Sequence, residues 1–321
     1  MGKVSRQSAI GQAHSKLILM GEHAVVYNEP AIAIPFDTLI VKAMVKSYEG
    51  TVQFISDFYT GGLEQMPDKM KGLVECVKSV CEQLNQPVEN FQINLESSIP
   101  IGRGLGSSAA IAVSLVRGLY NFFKKNLNRE TLKRFVDLAE KYAHGTPSGI
   151  DREATTHDHP IFFQREHHVE QVKIGEPLHL VVADTGRVGD THASVASVKE
   201  QYQRAEVVTK KRIAHLGQLT RKARQVMESG LLVELGKLLD QAHLELQALG
   251  VSDPGLDYYV EVSKQAGALG AKLTGGGRGG CMFALVDSVS QAKVVEDALV
   301  NAGAARTWYC KVANEVMSYE S

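Results

Sequence analysis

The sequence predicts an α+β fold in two domains, and three observations carry that expectation. The first third alternates extended apolar segments with turn signals, and a glycine-rich loop then runs straight into a long apolar segment of helical character. Beyond residue 180, strands and helices interleave without the strict alternation of a doubly wound sheet. A chain of 321 residues, at roughly 100–200 residues per domain, has room for two cores. The boundary is expected near residue 180, giving domains 1–180 and 181–321.

The elements follow in order. Residues 13–20, 31–34, 40–45 and 91–95 read as strands, punctuated by Tyr27-Asn28-Glu29-Pro30 and by Gly61-Gly62. Residues 107–123 are apolar nearly all round and rich in Ala and Leu, which suits a helix buried on most sides, with Arg117 and Asn121 on its wet edge. Leu132, Phe135, Val136, Ala139 and Ala143 keep a 3.6-residue period, and Pro147 is expected to end that helix. Residues 178–183 read as a buried strand opening the second domain. A helical region covers 194–228, followed by helices over 231–248 and 254–268. Strands at 271–274 and 281–286, a helix at 291–302 and a strand at 307–312 close the chain.

Composition excludes several classes of function. Lys plus Arg number 35 against 36 Asp plus Glu, so no global field attracts nucleic acid or an anionic membrane. No stretch approaches the roughly 18–20 apolar residues of a membrane span. The apolar run at 17–20 is too short for a signal-peptide core, so a cytoplasmic protein is expected. The four cysteines, Cys76, Cys81, Cys281 and Cys310, form no CxxC pair and are read as reduced thiols. The histidines between 157 and 168 lack the cysteine or carboxylate support of a metal site and are read as polar loop residues.

The strongest local feature is Pro100-Ile101-Gly102-Arg103-Gly104-Leu105-Gly106-Ser107-Ser108-Ala109-Ala110. Glycines at alternate positions let backbone N–H groups point into one concavity, and the following helix adds its positive dipole end. The pattern suits a phosphate. It is neither GxxxxGK[ST] nor GxGxxG. A formal GxGxxG at Gly275-Gly276-Gly277-Arg278-Gly279-Gly280 is followed by a strand pattern, so a dinucleotide fold is rejected and a glycine lip between two strands is expected instead.

Three segments in order, KLILMGEHAVVY from Lys16, the PIGRGLGSSAA loop and KLTGGGRGGC from Lys272, resemble the three signature motifs of the GHMP small-molecule kinases. Within that superfamily, GEHAVVY together with HGTPSGID, ending at Asp151, resembles the mevalonate kinases. The resemblance implies an N-terminal domain carrying the phosphate loop, a ferredoxin-like C-terminal domain and an active-site cleft between them. It also implies ATP-dependent phosphorylation of the C5 hydroxyl of mevalonate, with Mg²⁺ as cofactor, and a homodimer. Another GHMP kinase, acting on phosphomevalonate, homoserine or galactose, and a non-catalytic ligand sensor of the same fold are the alternatives.

The resemblance also assigns residues. Asp151 is the base toward the acceptor hydroxyl, held by the turn Pro147-Ser148-Gly149, and Lys16 keeps that carboxylate ionised. Gly102, Arg103, Gly104, Leu105, Gly106, Ser107 and Ser108 grip ATP, and Ser108 and Glu140 hold the metal. Glu22, His23 and Thr191 line the acceptor site. Gly189 stands where animal mevalonate kinases tend to carry arginine, which leaves Arg187 as a candidate for the missing charge. A helix N-cap for Asp151 and a turn-stabilising role for His23 remain open.

Overall fold

The computed structural model describes residues 7–144 and 148–314. Of the turn Pro147-Ser148-Gly149 expected before Asp151, Pro147 lies outside the described residues. The chain forms two compact units that interleave along the sequence. One holds residues 1–15, 39–100 and 106–156, and the other holds 16–38, 101–105 and 157–321. Packing divides the chain at several crossings, the last of them after Thr156. The crossings before it arise because two long strands and the glycine loop each run from one unit into the other.

In the first unit, β1 (Ser8–Met20) pairs with β2 (Ala31–Thr51), and a short hairpin, β3 (Gln53–Ser56) with β4 (Tyr59–Gly62), follows. Helix α1 (Lys71–Gln83) leads to β5 (Glu89–Ser97), which lies antiparallel to β2 and parallel to β3. A parallel pairing demands a crossover, and α1 supplies it. Helices α2 (Ser107–Phe122), α3 (Arg129–His144) and α4 (Ile150–Thr156) pack on one another. Gly11 lets β1 meet α2 closely, since a Cβ there would lie 2.1 Å from the backbone of Ser114 and Gly118. Val41, Val45, Phe54, Phe91, Val77, Val113 and Val136 form the core of this unit.

In the second unit, Ala31–Ala33 of β2 pair with β6 (Ile161–Phe163), which pairs with β7 (Glu170–Gln171). Pro35 lies between the β6-paired and β5-paired stretches of β2. The remaining strands, β8 (Leu178–Asp184), β9 (Gly270–Thr274), β10 (Cys281–Val286) and β11 (Arg306–Val312), form an antiparallel sheet in the order β11-β8-β10-β9. With helices α5 (Thr191–Arg204), α6 (Glu206–Glu228), α7 (Leu232–Ala248), α8 (Pro254–Gln265) and α9 (Val289–Asn301), this is the ferredoxin-like arrangement that was expected. Every residue of β9 and β10 is buried, because α7 and α8 pack on β9 and α9 packs on β8 and β10. The helical region expected over 194–228 is two helices, broken at Ala205 (φ −130°, ψ 52°). No helix among the described residues is long and apolar enough to cross a membrane. All four cysteines are buried free thiols, and burial pushes Cys76 and Cys310 up to about 12, so they are inert at neutral pH.

Candidate functional site

The glycine loop has the backbone that the sequence implied. Gly102, Gly104 and Gly106 all sit at positive φ (70°, 76° and 73°), a region that L-residues with a Cβ enter only at a cost. Gly106 is the N-cap of α2 and offers no side-chain hydrogen bond to it. A helix leaves its first-turn N–H groups without carbonyl partners inside the helix, and here no cap side chain covers that positive end. Ser107 begins the helix and is not its cap; its Oγ is buried and has no hydrogen-bond partner among the described residues. Ser108 is half-buried in the same first turn.

Within the second unit the loop residues 101–105 are held by two further turns. Gly189 N–H donates to the Gly102 carbonyl at 2.8 Å, and Gly280 N–H donates to the Arg187 carbonyl at 2.8 Å. Cβ atoms added at Gly104 and Gly275 would lie 3.1 Å and 2.7 Å from the other's Cα, so the loop and the glycine lip between β9 and β10 touch backbone to backbone. Arg103 turns its guanidinium to Asp184 (Nε–Oδ1 2.8 Å) and to the Gly186 carbonyl (3.0 Å), fastening the loop to the end of β8. Leu105 is buried, and its carbonyl accepts from Lys16 N–H at 3.2 Å.

Lys16 is itself buried, at 2% exposure, in the apolar run of β1. Where that strand ends, Glu22 and His23 are both buried. His23 has φ 60° and its Nε2 lies 3.0 Å from the Gly276 carbonyl. Burial pushes this imidazole down to about 4, so it is neutral near pH 7, and its Nε2 must carry the proton to donate to that carbonyl. The adjoining contacts were not foreseen from the sequence. Lys272 of β9 donates to Glu22, and the Thr274 hydroxyl donates to the Ile18 carbonyl at 3.0 Å while accepting from Ile18 N–H at 3.1 Å. Three points thus join β9 and the lip to the end of β1.

Thr191 opens α5, is exposed, and abuts the lip: a Cβ on Gly276 would lie 2.4 Å from its Oγ1. Asp190 caps that helix by accepting from Ala193 N–H at 2.8 Å. Gly189 has a structural reason, since a Cβ there would lie 3.0 Å from the Gly277 carbonyl. Arg187 pairs with Asp253, so the guanidinium considered as a replacement charge is already engaged.

In the first unit, Asp151 is the second residue of α4, half-buried, and lies inside the helix instead of capping it. The Thr155 hydroxyl donates to its carbonyl at 2.8 Å. An ion-pair cluster that sequence reading missed fixes this short helix. Glu153, at 3% exposure, takes Lys133 of α3 at 2.9 Å and Arg152 at 2.7 Å, and Arg152 also reaches Asp137 of α3. Glu140 is likewise buried at 3%, on α3, and α3 packs on α2, whose first turn carries Ser108. A buried carboxylate on one helix and a hydroxyl on its neighbour are both oxygen donors of the kind that suits a hard cation such as Mg²⁺. No cluster of three or more His, Cys, Asp or Glu side chains suited to a metal occurs among the described residues, so water and phosphate oxygens would complete such a shell.

Residues 71–157 match the GHMP kinases N-terminal domain, and residues 223–305 match the GHMP kinases C-terminal domain. A mevalonate kinase of Thermococcus sibiricus is 33% identical over 86% of this chain and 88% of its own. The crystal structure of L. major mevalonate kinase in complex with R-mevalonate superposes with a TM-score of 0.84 at 26% identity, covering 98% of each chain. Lactococcus lactis galactokinase shares the fold at a TM-score of 0.76 and 19% identity, covering 95% of this chain and 93% of that one. With both domain matches and these relatives, the chain belongs to the GHMP kinase family, on its mevalonate kinase branch.

Proposed function

We propose that this enzyme transfers the terminal phosphoryl group of ATP to the C5 hydroxyl of mevalonate, giving 5-phosphomevalonate and ADP. The observation that carries this reading is the glycine loop, whose left-handed backbone runs into a helix left uncapped by any side chain. A triphosphate is the ligand such an end suits best, because its oxygens take the loop and first-turn N–H groups. We assign the grip to Gly102, Arg103, Gly104, Leu105, Gly106, Ser107 and Ser108, with Arg103 acting through its hold on Asp184.

Phosphoryl transfer needs a positioned acceptor oxygen and compensation for charge. Asp151 accepts the proton of the acceptor hydroxyl, and the ion pairs around Glu153 keep its helix from moving. Lys16 is assigned as the cation that offsets the negative charge developing on the acceptor oxygen. Glu22, His23 and Thr191 line the acceptor site. Ser108 and Glu140 would hold Mg²⁺, which when bound neutralises the β- and γ-phosphate oxygens. We place the enzyme in the cytoplasm, as a homodimer.

The fold alone does not choose the acceptor, since a galactokinase shares it. The test is a coupled ADP-release assay against mevalonate, phosphomevalonate, homoserine and galactose, with Mg²⁺ present or withheld. Release with mevalonate that requires Mg²⁺ and disappears in Asp151→Asn is the expected result. Turnover of another acceptor in preference to mevalonate would replace the substrate, and ligand binding without ADP release would replace the activity.

A further inference from the structure

Lys272 lies in the middle of β9 and its side chain is completely buried. An ammonium there needs partners, because an unpaired buried charge is strongly disfavoured. Its Nζ donates to Glu22 Oε1 and to the Leu273 carbonyl at 2.7 Å, and it lies 5.4 Å from the centre of the Phe283 ring. Glu22 is buried just as fully, yet only one of its carboxylate oxygens is used. Its Oε2 is shielded from solvent and has no hydrogen-bond partner among the described residues. A buried acceptor without a donor is a place that a ligand hydroxyl satisfies.

We propose that Lys272 is a positioning residue for acceptor recognition: it holds Glu22 by Oε1 so that Oε2 is fixed in direction and left without a donor among the described residues, for a hydroxyl of the acceptor to satisfy. The proposal rests on the reading of Glu22 as a substrate-binding residue. Electrostatics support the geometry. Burial pushes Glu22 up and Lys272 down, each toward its neutral form, and the charge and hydrogen bond of Lys272, with a smaller pull from Lys16, oppose this for Glu22. The other titratable groups nearby do not replace that charge. His23 is held at about 4 by burial, and His243 of α7 is lowered by burial despite Asp257 and Asp240 beside it, so both are neutral near pH 7. Arg278 is tied to the Gly250 carbonyl and to Ser197. Without Lys272, Glu22 therefore takes up a proton at higher pH and Oε2 loses its value as an acceptor.

The experiment measures initial rates against mevalonate across pH for Lys272→Met, Lys272→Arg and Glu22→Gln, with thermal melts in parallel. Lys272→Met is expected to raise the KM for mevalonate by about tenfold or more while the KM for ATP stays within about twofold. It should also move the acidic limb of kcat/KM for mevalonate to higher pH, which a merely structural residue would not do, and Lys272→Arg should restore most of the loss. A folded Lys272→Met enzyme with the wild-type limb and KM would overturn the proposal. Should that variant fail to fold, the double variant Glu22→Gln/Lys272→Met removes both charges. Its mevalonate KM is expected to equal that of Glu22→Gln alone, and a further additive loss would contradict the coupling. If Glu22→Gln leaves the mevalonate KM unchanged, the assignment of Glu22 itself fails, a result distinct from any obtained with Lys272.

Discussion

Asp151, the proposed base, lies on a helix held by ion pairs of its neighbours. The helix that carries it has only seven residues, too few to be stable alone, and Glu153, Arg152, Lys133 and Asp137 tie it to α3. Replacing Asp151 by Ala should therefore leave the fold intact and cut kcat by about 10²–10⁴-fold, the usual worth of a positioned base. The KM for ATP should stay near wild type in steady-state kinetics, and an equal loss of ATP binding would contradict the role. His23 yields a pH prediction. The unfolded chain takes up a proton on this residue near pH 6.5, whereas the native imidazole resists until about 4, so acid across that window favours unfolding. The slope from this group is up to about 1.4 kcal/mol per pH unit. Asn tolerates the φ of 60° at this position. Melts of His23→Asn between pH 7 and 4.5 should therefore show a flatter loss of stability than wild type, and an identical slope would place the proton elsewhere.

At the scale of elements, the two glycine loops, the proposed ATP grip, touch backbone to backbone. Ala at Gly275 would put a Cβ 2.7 Å from Gly104 Cα, and Ala at Gly104 one 3.1 Å from Gly275 Cα, both at positive φ. Each change costs roughly 1–2 kcal/mol of backbone strain and should raise the KM for ATP several-fold in initial-rate assays while leaving that for mevalonate nearly unchanged. These loops were legible in the sequence because glycine spacing is a local signal, and the same holds for α2, β10 and the lip between its strands. Helix α1 was not foreseen, although Val74, Val77, Val80 and Cys81 share one buried face. Its surroundings read as strand-rich, and the parallel pairing of β3 with β5 that requires a crossover is invisible locally. The turn expected at Gly61-Gly62 lies instead at Asp57-Phe58, with both glycines inside β4. Long-range pairings were likewise hidden. A lysine between two apolar strand residues signals a buried charge, but nothing nearby in sequence says that Glu22 answers Lys272 from 250 positions away.

For the whole molecule, the interleaving of the two units has an energetic consequence. β1, β2 and the glycine loop each belong partly to one unit and partly to the other, so neither unit is a contiguous stretch that truncation could isolate. A cut at residue 180 is expected to yield insoluble or molten fragments, which far- and near-UV circular dichroism would reveal. A folded, ATP-binding fragment 1–180 would contradict that expectation. In the intact enzyme, ATP with Mg²⁺ at about 100 times its Kd should add about 2.7 kcal/mol of stability. Because the loop is the proposed grip, that gain should fall in Gly104→Ala and persist in Asp151→Asn. The most direct measurement is a crystal structure with a non-hydrolysable ATP analogue, Mg²⁺ and mevalonate. Phosphates cradled by residues 102–108, with the Asp151 carboxylate at the C5 hydroxyl, is the result expected; phosphates bound away from that loop, or Asp151 turned to bulk water, would contradict it.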